Sequence, residues 1–277
     1  MGFRIATNVQ SIAAQRSLGA TREGQNRSLE KLSSGERIVR SGDDAAGMAI
    51  SEKLKAEIRS LRQANRNALD GISLIQTAEG GLNEVGNILI RLRELSIQAA
   101  SDTIGNTERG FVDKEFKSLI DEVQRISQVT KYNGISLLNG EGDALEIQVG
   151  TRNIPEHDRM AFDVSKNNAS ATKLGIMGLT VESRDDAQQN IDKIDSAIRQ
   201  VSDNRADFGA LQNRLQSTIN NLQISDENLS AANSRIRDVD VAHETSELTK
   251  RNILAQAGTS MLAQANSNNM LALKLIG

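Results

Sequence analysis

Between Ile50 and Ala99 an apolar residue or Ala recurs at positions 50, 54, 58, 61, 64, 68, 72, 75, 78, 82, 85, 89, 92, 95 and 99. Fourteen steps cover 49 residues, a period of 3.5. That period holds one stripe against a partner helix and favours a left-handed coiled coil. Ser41 to Asp44 resembles a capping box at its start. A helix from about Asp44 to Ala100 is roughly 85 Å long at about 1.5 Å per residue. Gly71, Gly80, Gly81 and Gly86 lie inside it and weaken it locally.

Other segments carry the same helical spacing. Ile5, Val9, Ile12, Leu29 and Leu32 predict a first helix over about residues 5–33, with Gly35 as its stop signal. Val112, Phe116, Leu119, Val123 and Ile126 predict a third helix ending near Val129, before the turn dipeptide Asn133-Gly134. The period then falls to two. Leu145, Ile147 and Val149 alternate with polar residues, as do Met160, Phe162 and Val164, which predicts one β-hairpin. Helical spacing resumes after Ser183, whose run to Asp186 fits a capping box. Ala187, Ile191, Ile194, Ile198, Val201, Phe208, Leu211, Leu215, Ile219 and Leu222 form its stripe, and Leu229 and Ile236 extend it. A break near Arg237 to Asp240 precedes a last helix through about Leu273, lined by Leu248, Leu254, Ala257, Met261, Leu262 and Ala265.

This pattern predicts a mainly α fold: an elongated antiparallel coiled-coil rod with a small mid-chain β-hairpin and paired N- and C-terminal helices. The chain must double back for the two terminal helices to cover each other's stripes. A thin rod with Ala-rich faces points to self-association.

Composition strengthens this reading. The 277 residues include one Pro, no Trp, one Tyr and five Phe. Such a chain suits long helices with thin seams and disfavours an aromatic-lined pocket. The absence of Cys excludes disulfides, iron–sulfur clusters, thiolate zinc sites and cysteine nucleophiles. A net charge of −3 gives no reason to expect nucleic acid. No run approaches about 18 consecutive apolar residues, so no membrane insertion is expected. The first 15 residues lack the apolar core of a cleaved signal peptide. By general rules alone the chain reads as cytoplasmic.

Candidate chemistry is sparse. His243, Glu244 and Glu247 resemble the opening of a zinc-protease helix, but Glu247 stands where a second His is required. The remaining histidine, His157, is in a loop, so solvated helix residues are the simpler reading and no metal or other cofactor is expected. Lys55, Arg59, Arg62 and Arg66 step along one helix face. Without aromatic residues for base stacking they read as a charged flank. Arg91, Arg93, Glu94 and Glu115 read likewise as a flank with local ion pairs. No phosphate-loop, nucleophile-elbow or triad pattern occurs, so no catalytic residue is assigned.

Several segments carry a resemblance. SLEKLSSGERIVRSGDDAAGMAISEKL (28–54), NALDGISLIQTAEGGLNEV (67–85), IRLRELSIQAAS (90–101), KYNGISLLNG (131–140) and SRIRDVDVAHETSELTKRNILAQAGTSMLAQAN (234–266) resemble the bacterial flagellins in sequence and order. The likeness spans nearly the whole chain. It implies export through the flagellar type III apparatus without a cleaved signal, and polymerisation into an extracellular filament. It thereby replaces the cytoplasmic reading. The resemblance also implies a filament core built from both chain ends, assembled through Ile5, Val9, Ile12, Leu254, Met261, Leu262, Leu271 and Leu273. Residues 1–43 and 236–277 correspond to that inner domain, and 44–182 with 183–235 to the rod domain. Little or no outer domain is left. Implied partners are further copies of the chain, hook-associated and cap proteins, an export chaperone at the C-terminal helix, and the animal Toll-like flagellin receptor through Arg91, Leu95 and Glu115. A hook–filament junction protein and a minor flagellin are the alternatives within the same machinery. An enzyme on a flagellin scaffold lacks its HExxH motif here.

Overall fold

The computed structural model describes residues 7–274, and side chains through residue 268. The elements are α1 (Val9–Ser34), α2 (Ala45–Ala100), α3 (Asn106–Val129), β1 (Lys131–Tyr132), β2 (Ile135–Ser136), β3 (Leu145–Gln148), α4 (Pro155–Asp158), β4 (Arg159–Phe162), α5 (Arg184–Arg237) and α6 (Val241–Lys274). Two compact units result. One is built from the chain ends, up to Ile58 and from Glu227 onward; the other is Arg59–Asp226. These units divide within α2 and within α5, whereas the expected limits at 43/44 and 235/236 fall near helix ends.

In the unit Arg59–Asp226, α2 and α5 run antiparallel in constant register. Arg62 pairs with Asp226 at 3.0 Å and Arg93 with Asp195 at 2.6 Å, a spacing of 31 residues on each helix. The α2 stripe enters the core as its period requires: Ala68, Ile75, Ala78, Leu82, Val85, Leu89, Leu92, Leu95 and Ala99 are buried. Ile194, Val201, Phe208, Leu215 and Ile219 cover it from α5. The α3 face is rotated slightly from the expected one. Phe116, Ile120 and Val123 are buried, while Val112, Leu119 and Ile126 are only partly so.

Helix ends follow local chemistry. At the start of α5, Ser183 Oγ accepts from the Asp186 amide at 3.1 Å, the N-cap half of the expected capping box, while the Asp186 carboxylate accepts from the Ser183 hydroxyl at 2.7 Å. At α2 the expectation needs correction. Asp44, rather than Ser41, caps the helix by accepting from the Gly47 amide at 2.8 Å. Asp43 meanwhile accepts from the amides of Arg40 and Val39 and holds the preceding turn. Those two backbone bonds, Arg40 foremost, hold the Asp43 carboxyl below its usual range.

Two of the α2 glycines that weaken the helix on propensity grounds make room for neighbours. A Cβ at Gly71 meets Ile147 of β3 at 2.7 Å. At Gly81 it meets Leu138 and Thr130 at 2.8 Å. The β3–β4 hairpin pairs Leu145 with Phe162 through Gln148 with Arg159, and Phe162 stacks tilted on Phe208 at 5.3 Å. Its loop contains α4, opened by Pro155. The single hairpin expected is corrected to two. Lys131–Tyr132 and Ile135–Ser136 also pair, around Asn133 and Gly134 at φ 48° and 82°. Both turn residues are left-handed, which suits a two-residue hairpin turn. Strands of two residues are too short to show alternation in sequence.

In the unit of chain ends, α1 packs along α6. Asn8 caps α1 by accepting from the Ser11 amide, and Gly35 at φ 73° ends it as expected. Ile5 lies outside the described residues. The break between α5 and α6 falls where the sequence puts it, with Asp240 accepting from the amides of Ala242 and His243.

Leu89→Ala removes a fully buried side chain from the two-helix seam. It is expected to lower unfolding stability by about 2–5 kcal/mol in denaturant titrations followed by circular dichroism.

Candidate functional site

The paired ends are chemically unlike the rest of the molecule. On α1 the buried residues are Ser11, Leu18, Gly24 and Ser28, so a single large apolar side chain enters the seam. On α6 no described side chain is buried; Ala255, Gly258, Leu262 and Ala265 are half-buried. Leu18 approaches to 3.2 Å of the Cβ position of Gly258. The Arg251 guanidinium lies over Gly24, whose missing Cβ leaves space for it. Polar ties complete the seam: Gln25 donates to Asn252 at 2.6 Å and Asn8 to the Ala265 carbonyl at 3.0 Å.

Apart from the buried Leu18 and the half-buried Leu32, Leu248 and Leu262, the described large apolar residues of α1 and α6 are exposed. Val9 is 65% exposed and Met261 65%, and Ile12, Leu29, Ile253 and Leu254 are also exposed. Thus the Val9, Ile12, Leu254 and Met261 positions are uncovered within one chain, and Leu262 is half-buried. Backbone at Leu271 and Leu273 continues α6, but their side chains lie outside the described residues. Of the α6 lining expected from spacing, Leu254, Ala257 and Met261 point outward while Leu248, Leu262 and Ala265 are half-buried. Two helices that meet through Gly, Ala and Ser approach closely, and this leaves the bulkier residues outside.

A connection missed by the sequence reading lies at the base of this unit. The α1–α2 connector pairs with the α5–α6 connector. The Arg37 amide donates to the Arg237 carbonyl at 2.6 Å, and the Val239 amide to the Gly35 carbonyl at 3.0 Å. The Arg37 side chain donates to the Ile236 carbonyl at 2.5 Å. Arg237 pairs with Glu36 at 2.8 Å and with Glu52, and its side chain is only 13% exposed. Its sequence signal, SRIRD at the end of a long helix, gives charge but not partners.

On the other unit, Arg91 pairs with Glu115 at 2.9 Å and with Glu94 at 3.0 Å, all three half-exposed. The Glu115 hydrogen bond, then that of Glu94, raises the Arg91 pKa above its ordinary value. Leu95 is elsewhere: it is 1% exposed, within the helical core. The three residues therefore do not form one accessible surface. Of the basic stripe, Arg62 in this unit is paired with Asp226, and Lys55 in the unit of chain ends with Glu52. Among the described residues no group of three His, Asp or Glu side chains could hold a metal, and no helix is long and apolar enough to cross a membrane.

Long helices joined by packing and charge pairing define the class of this molecule, a mainly helical protein. Residues 5–143 match the bacterial flagellin N-terminal helical region, and residues 191–275 the bacterial flagellin C-terminal helical region. The chain is 45% identical to the flagellin of Halalkalibacterium halodurans, across 97% of this chain and 98% of that one. It is 42% identical to the flagellin of Bacillus subtilis, across 99% and 100%. The crystal structure of Bacillus cereus flagellin superposes with a TM-score of 0.50 at 34% identity, over 57% of this chain and 88% of that one. The chain belongs to the bacterial flagellin family, a family of structural proteins. It is a subunit of the flagellar filament and serves swimming motility.

The burial difference between Leu95 and Arg91 separates folding from surface effects. Leu95→Ala is expected to cost about 2–5 kcal/mol of unfolding stability. Arg91→Ala is expected to leave the unfolding midpoint unchanged in the same titration, because the pair is solvent-exposed.

Proposed function

We propose that this chain polymerises through apolar residues of its paired ends: the outward Val9, Ile12, Leu254 and Met261 and the half-buried Leu262, together with Ile5, Leu271 and Leu273, whose side chains lie outside the described residues. The observation that carries the reading is the exposure of large apolar residues on both α1 and α6 while their mutual seam is built from small ones. Fully burying such a side chain contributes about 1.5–3 kcal/mol. A chain that has already covered roughly half of each gains less, against an association cost of about 4–15 kcal/mol. Single contacts between two copies are therefore weak, and a lattice that repeats several contacts per subunit is the stable product. A heterologous contact that does not close yields an open helix, which is the form a filament needs. Residues 1–43 with 236–277 act as the inner filament domain, and 44–182 with 183–235 as the rod.

Membership of the family supports an extracellular filament with flagellar hook-associated partners. The finer features follow from the same reading: export without a cleaved signal, a cap protein at the growing end and an export chaperone that covers the C-terminal helix before assembly. The chain acts as a structural subunit rather than as an enzyme. For the Toll-like flagellin receptor, the exposed Arg91 and Glu115 supply the contact and Leu95 fixes the helix that carries Arg91.

Removal of about 30 residues from either end is expected to abolish seeded polymerisation. Electron microscopy checks the filaments, and circular dichroism the persistence of the helical core; filaments from either truncation overturn the proposal. Receptor-bearing cells are expected to respond to purified monomer and to lose that response with Arg91→Ala or Glu115→Ala. A full response from both variants removes these residues from the contact.

A further inference from the structure

We infer that Arg237 is a positioning residue for filament assembly: its clamp on Glu36 and Glu52 fixes α1 and α6 side by side in one register, so that their outward apolar residues act as a single surface. The inference rests on the reading of those residues as the assembly face.

Three observations carry it. First, apolar packing gives the α1–α6 seam little register, so its polar ties, Gln25 to Asn252 and Asn8 to the Ala265 carbonyl, share that task with the connectors. Its α1 side buries one large apolar side chain, Leu18, and its α6 side buries none among the described residues. Shallow faces of Ser, Ala and Gly offer few interlocking contacts, and small residues at one position resemble those at the next. Second, the connectors are locked in both directions. Two backbone hydrogen bonds, Arg37 N–H to the Arg237 carbonyl and Val239 N–H to the Gly35 carbonyl, tie residues about 200 positions apart along the chain. Third, Arg237 is held from two sides. Its guanidinium meets Glu36 from the α1–α2 connector and Glu52 from the first turns of α2. The Glu52 pair alone would hold α5 against α2. The Glu36 pair adds the end of α1 to the same point, beside the start of α6.

The planar guanidinium suits this task. It offers several donors in one plane: Nη1 donates to Glu52, while Nε lies 2.8 Å from Glu36 as an ion pair without hydrogen-bond geometry. Ser51, fully buried nearby, donates to Asn233 at 2.8 Å and sets the α2–α5 distance at the clamp. A compact ammonium reaches one carboxylate well but lacks that plane of donors. Arg237→Lys therefore keeps the charge and loses part of the geometry, whereas Arg237→Ala loses both.

The test uses the full-length chain, elongating on wild-type filament fragments, with rates followed by light scattering and electron microscopy. Arg237→Ala is expected to elongate at least about tenfold more slowly, a factor of ten corresponding to about 1.4 kcal/mol. Arg237→Lys is expected to fall between it and wild type. Thermal unfolding of the Arg59–Asp226 unit is expected to be unchanged in both, which a general loss of stability would not leave so. Glu36→Gln is expected to slow elongation in the same direction, since it unties α1 alone. A control variant, Leu254→Glu with Met261→Glu, separates the two readings. If the control elongates normally, the assembly face is wrong. If the control is blocked and Arg237→Ala elongates like wild type, the clamp is wrong. A slow Arg237→Ala variant whose Arg59–Asp226 unit also melts early likewise overturns the positioning role.

Discussion

An apolar stripe along a helix must be covered, and the long helices of this flagellin meet that demand in two ways. From Leu61 to Ala99 the α2 stripe is covered within the chain by α3, α5 and the β3–β4 hairpin. Nearer the chain ends the covering fails: Ile50, on the same stripe, is 52% exposed and the buried residue beside it is Ser51. Toward the termini α1 and α6 turn their large apolar residues outward and meet through small ones. The division between covered and uncovered apolar surface is therefore written as a change in which residues face inward. It needs no change of secondary structure.

That change sets how stability is distributed. Local opening costs little where few apolar contacts are broken and much where a dense core must part. The Arg59–Asp226 unit contains Phe116, Phe162 and Phe208, all fully buried, and a continuous run of Leu and Ile on facing helices. The unit of chain ends has Leu18, Ile38 and Ile58 as its buried large apolar residues among those described. Its cohesion leans on hydrogen bonds and charge pairs, of which the cluster around Arg237 is the most enclosed. Such interactions are directional and define geometry more than they add free energy.

Much of this architecture was legible in the chain. The 3.5-residue stripe placed the core face of α2, Gly35 placed the end of α1, and Ser183 with Asp186 placed the start of α5. These signals are local, so no partner is needed to read them. What stayed hidden depends on partners. Leu248, Leu254, Ala257 and Met261 all fit a helical stripe, yet the inward face is decided by how close α1 can come, which Gly24 and Gly258 control. Asp113 sits on the buried face of α3 because the Val181 amide and Lys117 meet it there. The pattern of Arg91, Leu95 and Glu115 was readable as a string, but the burial of Leu95 was not. The second hairpin was hidden by the shortness of its strands.

The pairing of α2 with α5 also governs the order of events as the chain emerges. Arg62 and Asp226 are separated by 164 residues, and the facing core residues along the seam by comparable or smaller spans. Contacts so distant along the chain form late, because the intervening polypeptide must be closed into a loop first. An N-terminal half without its partner carries an uncovered stripe and has no finished fold to adopt. Closure of the Arg59–Asp226 unit begins only once α5 arrives, about two-thirds of the way along the chain, and ends with Asp226, so the molecule is in effect timed by its own length.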